Sequence, residues 1–195
     1  MIVIRRLAAV LVLLSSVIAS AAQAAWDLDN ERSTVQFMSV KNSSIAELHH
    51  FKVLSGGIAE NGEAQVTIDL DSVETMIPIR NQRMRELFFE TVRFPAATLT
   101  APVPGDLATL DAGETRDVNF EVSIALHGKT VPYDAKADVT RLADGSLRVV
   151  LSEPIFVKAS DFALAEGVAT LREVAGLDSI STAVPVTATL VFTRQ

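Results

Sequence analysis

Ala64-Gln65-Val66-Thr67-Ile68-Asp69-Leu70 alternates apolar and polar residues without a break. Successive side chains on an extended chain project to opposite faces, so the stretch reads as a strand with one dry and one wet face. The same alternation returns in Val118, Phe120, Val122, Ile124 and Leu126, set against Asp117, Asn119, Glu121 and Ser123. Weaker versions cover Thr34 to Lys41, Val131 to Val139, Leu147 with Val149 and Leu151, and the closing Val184, Val186, Ala188, Leu190 and Phe192.

Asn61-Gly62, His127-Gly128 and Asp144-Gly145 fall between these runs and supply the positive φ angles of tight hairpins. Strands centred near Val35, Phe51, Val66, Leu99, Phe120, Val139, Val149 and Val186, with Ile155 to Ala159 as an addition, number about eight. At that number an antiparallel sheet can close into a barrel that encloses one ligand, and closure leaves no exposed edge. The expected fold class is all-β (minor α). Two segments break the rhythm and predict short helices: Pro78 to Phe89, with Met84, Leu87 and Phe88 on one face, and Thr170 to Ala175, ended by Gly176.

The chain opens with Arg5-Arg6, an apolar run from Leu7 to Ile18, and small residues ending in Ala22-Gln23-Ala24, the layout of a secretory signal peptide. Residues 1–24 are read as the signal and residues 25–195 as one domain, which places the expected product in the periplasm. The apolar run is shorter than the ~18 residues a spanning helix needs, and no other such run follows, so the chain is not expected to span a membrane with a helix. The formal charge of −7 becomes −9 without Arg5 and Arg6. An acidic domain with no basic block has no electrostatic reason to hold nucleic acid, and anionic membrane surfaces are disfavoured too. There is no cysteine, so neither disulfides nor a thiol nucleophile is available.

The order of features resembles the YceI-like lipid- and polyisoprenoid-binding family. The resemblance runs from Trp26-Asp27-Leu28-Asp29 and Ser33 to Phe37, through Thr67 to Thr75, Arg80-Asn81, Phe88-Phe89-Glu90 and Phe94-Pro95, to Ile124 to Pro132 and Ser160-Asp161-Phe162. It implies a lipocalin-like antiparallel barrel holding a long apolar chain, such as an isoprenoid quinone, a polyprenol or another lipid. Asn81 and Arg83 stand where the family tends to carry Asp and His, and Ala159 and Ala163 flank the late Ser-Asp-Phe where Arg and Gly are usual.

On this reading the candidate ligand-binding side chains are Phe37, Val66, Ile68, Leu70, Met84, Leu87, Phe88, Phe120, Val122, Ile124 and Phe162. Each buried methylene is worth ~0.8 kcal/mol, so a five-carbon isoprene unit gives ~3 to 4 kcal/mol before ordering costs. The same side chains would equally fill a solid barrel. Arg80, Arg83 and Arg85 are either solvated beside the barrel cap or available to a polar headgroup.

His49 and His50 adjoin in a strand and point to opposite faces, so they cannot share a metal site. No Gly-x-Ser-x-Gly elbow accompanies the serines and His127, and Asp69, Asp71 and Glu74 read as surface carboxylates. The expectation is a non-enzymatic binding, carrier or sequestering protein with no catalytic residue, metal or cofactor. The alternatives are an isoprenoid- or ester-modifying enzyme using His127 and a carboxylate at the barrel mouth, and a filled barrel acting on a protein partner. The oligomeric state stays open, a homodimer included.

Overall fold

The computed structural model describes residues 24–195, so the signal segment read over residues 1–24 lies outside the described residues except for Ala24. The strands are β1 (Ala24–Leu28), β2 (Thr34–Lys41), β3 (Ile45–Phe51), β4 (Leu54–Ala59), β5 (Glu63–Asp69), β6 (Val73–Glu74), β7 (Ala96–Pro102), β8 (Thr115–Leu126), β9 (Lys129–Arg141), β10 (Leu147–Leu151), β11 (Ile155–Lys158) and β12 (Ala183–Arg194). Two helices accompany them, α1 (Pro78–Arg83) and α2 (Ala165–Val174).

Hydrogen-bonded neighbours run β1, β4, β5, β7, β8, β9, β10 and β12, and β1 pairs again with β12 to close the ring. The result is an eight-stranded antiparallel barrel. The four remaining strands lengthen four of its staves. β2 prolongs β1 along β12, β3 pairs β2 as β4 pairs β1, β6 prolongs β5, and β11 prolongs β10.

Side chains replace the ladder where staves break, because a buried backbone amide left without a partner is costly. Asn30 accepts from the Leu54 N–H at 2.6 Å and donates to the Lys52 carbonyl at 3.2 Å. Ser72 Oγ takes the N–H groups of Lys52 and Val53, and Ser33 Oγ takes that of Val191. The eight centres read from periodicity correspond to these staves. β1, β4 and β6 were not legible, since none carries an alternating run of useful length.

The hairpin between β8 and β9 is a two-residue turn with positive φ at both His127 (49°) and Gly128 (74°). The imidazole secures the turn, with Nδ1 3.2 Å from the Phe162 carbonyl and its ring 4.2 Å from Phe94.

Both short helices form where the sequence predicts them, Pro78 to Phe89 with the expected bounds, but each differs in one respect. α1 passes directly into a π-turn segment, Met84–Phe89, whose i→i+5 bonding places Met84 and Phe89 together in the core. Leu87 is therefore 38% exposed rather than sharing a buried stripe with Met84 and Phe88. α2 begins five residues before Thr170. Gly167 hides that first turn from a propensity reading. Tertiary contact explains the glycine: a Cβ there would stand 3.0 Å from the Phe88 ring and 3.3 Å from the Leu87 carbonyl.

Apolar side chains form three packed groups. One gathers Trp26, Leu107, Leu110 and Phe192 at the barrel end where the first and last described residues lie. A second gathers Leu70, Val73, Met84 and Phe89 beneath the helices, and a third holds Val122, Ile155, Phe162 and Val168 beside it.

Gly56 fixes the β4–β5 contact. Its φ is +132°, and a Cβ would fall 2.0 Å from the Gln65 carbonyl oxygen. Gly56→Ala should therefore cost at least about 2 to 4 kcal/mol in a urea unfolding titration, well beyond an ordinary exposed glycine change. A loss below about 1 kcal/mol would show that the two strands separate easily.

Candidate functional site

A cavity of about 120 Å³ lies within the barrel. Twenty residues line it, and none has a polar side chain. Ile58 and Val66 form one wall, Val118, Phe120 and Val122 another, and Val139, Leu147, Val149, Leu190 and Phe192 the facing staves. Leu107, 3% exposed in a 3-10 turn between β7 and β8, closes the lower end. Phe88 and Phe162 pack with the group above, and Phe162 is fully buried.

Alternation creates this interior: every second residue of each stave points inward, and around the cavity those residues are apolar. Cavities of this character stay dry, and one of ~150 Å³ admits a benzene-sized molecule. The space seen here thus suits roughly one prenyl unit, and a longer chain must displace a closing side chain.

Three of the side chains read from sequence line the cavity: Val66, Phe120 and Val122. Ile68, Leu70 and Met84 lie buried in the group beneath the helices, with Phe37 and Phe88 packed at its margin. Ile124 and Phe162 belong to the third group, while Leu87 faces outward. The sequence reading did not single out Val139, Leu147, Val149, Leu190 and Phe192, although their alternation was visible. Leu107 sits in an aperiodic loop and carried no signal.

The polar constellations serve structure. Arg80 is half-buried and its guanidinium is engaged: it donates to Glu47 at 2.7 Å and to the Thr75 carbonyl at 2.5 Å. Asn81, nearly buried, accepts from both the Thr75 N–H and its hydroxyl and donates to Glu74. The Asn81 amide, then Lys52 and the Met76 N–H, hold Glu74 down at about 2. Asp69 takes the Asp71 N–H, and Asp71 accepts from the Thr91 hydroxyl, so these carboxylates tie turns together.

His49 and His50 do point apart, with His49 only 3% exposed. Its Nε2 lies 2.8 Å from Ser39 Oγ, but its buried Nδ1 has no partner to orient the ring as a base. His127 Nε2 is 3.4 Å from Glu90, and no hydroxyl hydrogen-bonds that imidazole among the described residues. No group of three His, Asp or Glu side chains suited to a metal occurs among the described residues, and no described helix is long and apolar enough to cross a membrane.

Residues 26–192 match the YceI-like domain. The chain belongs to the YceI-like family. Its barrel superposes with a TM-score of 0.87 on a Saccharophagus degradans protein described as a polyisoprenoid binding domain implicated in plant cell wall breakdown. The two are 41% identical over 89% of this chain and 100% of the other. BcnA of Burkholderia cenocepacia, 20% identical over 86% of this chain and 100% of its own, shares the YceI-like fold with a TM-score of 0.67. Among curated proteins nothing matches.

Burial first, and the nearby Arg80 charge second, push His49 from 6.5 down to about 4. The unfolded chain therefore takes up a proton that the folded chain refuses. The stability this contributes, about 3 kcal/mol, is complete above pH 6.5 and is lost as pH falls towards 4. His49→Gln should flatten the pH dependence of the urea midpoint across that window. An undiminished slope would place the titrating group elsewhere.

Proposed function

We propose that this YceI-like protein is a periplasmic carrier or sequestering protein that binds the apolar chain of an isoprenoid or related lipid inside its barrel. The observation that carries the reading is the cavity: it lies inside the eight-stave barrel and is lined without exception by apolar side chains. The polyisoprenoid-binding description of the 41% identical Saccharophagus degradans domain supports the same ligand class. The cavity wall offers no side chain able to transfer a proton or attack a carbonyl, which favours binding over catalysis.

One enclosed prenyl unit gives ~3 to 4 kcal/mol of transfer free energy, short of the ~8 kcal/mol of micromolar binding. A physiological tail must reach further, by moving Leu107 at one end or the Phe88 and Phe162 rings at the other.

Organic extraction of protein purified from its own host, followed by mass spectrometry, should recover a prenyl-chain lipid. Val122→Asp, which puts a charge into the cavity wall, should reduce that lipid at least tenfold without preventing export. Equal loading of the variant would overturn the assignment of the cavity as the binding site.

Export itself is tested by the mature terminus. The protein recovered from the periplasmic fraction should begin at Ala25, as read by intact-mass measurement. A chain retaining Met1 in the cytoplasmic fraction would remove the periplasmic setting.

A further inference from the structure

The cavity has no polar side chain, yet isoprenoid lipids end in a hydroxyl, a quinone ring or a phosphate. A headgroup must therefore rest outside the bore, beyond one of its boundaries. The lower boundary is closed by Leu107 and the upper by the Phe162 and Phe88 packing described above. The side wall has a break in its ladder. The β10 ladder to β9 ends at the Ser152 N–H to Lys136 carbonyl bond, 3.0 Å, and Pro154, lacking an N–H, cannot continue it. Beyond the break β11 pairs with β12 alone, so β9 from Lys129 to Ala135 has no ladder partner on that side.

An outer cleft of about 420 Å³ lies at this break, and Phe120 lines both the cleft and the bore. Directly across the ladder from Phe120 stands Ala135, which has little side chain to add to the wall. Asn119, Asp134, Lys136 and Glu153 ring the cleft, with Lys136 donating to Glu153 at 2.8 Å. These groups offer hydrogen-bond donors and acceptors together. Their summed charge is negative, two carboxylates against one ammonium.

Building on the carrier reading, we infer that Phe120 is a lateral gate and that the cleft outside it receives an uncharged, hydrogen-bonding headgroup, a prenol or quinol hydroxyl. A phosphorylated headgroup would meet Asp134 and Glu153 at the rim. The hydroxyl can both donate to those carboxylates and accept from Asn119 or Lys136, whereas a phosphate only accepts.

The test compares farnesol with farnesyl monophosphate by isothermal titration calorimetry at low salt, where rim charges are least screened. The wild-type protein should prefer the alcohol by about fivefold or more. The double variant Asp134→Asn with Glu153→Gln, at rim positions that do not endanger folding, should narrow that preference by about threefold or more. Phe120→Ala should raise the farnesol dissociation rate in stopped-flow displacement by about tenfold.

Equal affinity for alcohol and phosphate, or a preference untouched by the double variant, overturns the headgroup assignment. An unchanged dissociation rate in Phe120→Ala overturns the gate. If those arms fail while Val122→Asp still abolishes loading, the carrier stands and the lateral route falls. No farnesol binding by the wild-type protein removes both.

Discussion

Closure of the ladder between β1 and β12 is the constraint on which the rest depends. Trp26 opposite Arg194 and Leu28 opposite Phe192 join the two ends of the described chain, and the sheet acquires an inside. Once that inside exists, the side chains around the bore must be apolar, because unpaired polar groups there are costly. The Arg141 and Arg194 guanidiniums sit 5.0 and 5.9 Å from the Trp26 ring, sealing the seam on its polar side.

An eight-stave barrel built from strands of very different lengths carries interruptions, and the protein treats them unequally. At the breaks between β1 and β2 and between β3 and β4, Asn30, Ser33 and Ser72 restore the missing hydrogen bonds, so the wall stays continuous. At the break between β10 and β11, Pro154 leaves one side of β9 from Lys129 to Ala135 without a ladder partner, and a cleft opens. Phe120 lines both that cleft and the bore. At the helical end the opposite holds: Gly167 lets α2 press against Phe88, and the π-turn carries Met84 and Phe89 into the same packing.

The sequence made the staves legible because alternation is a local property. Ala64 to Leu70 and Val118 to Leu126 declare their faces without reference to any other segment, and the glycine turns declare where the chain reverses. The candidate site was only partly legible for the same reason. Val66, Phe120 and Val122 were identifiable as inward-facing, but so were Ile68 and Ile124, and all five satisfy the same local rule. Whether an inward residue lines open space or packs against a neighbour depends on which side chains descend from the ends of the barrel.

By itself, the sequence determined that this protein is an antiparallel β-domain of about eight staves with an apolar face on each, and its ordered motifs pointed to the YceI-like family. The tertiary structure decided that the space lies between Leu107 and the Phe88–Phe162 packing, that Leu87 faces outward, and that the β9–β10 ladder stops short of Pro154. Period and turn chemistry are written in neighbours along the chain. The size and openings of a cavity are differences between volumes contributed by residues remote in sequence, and only the folded arrangement brings those volumes together.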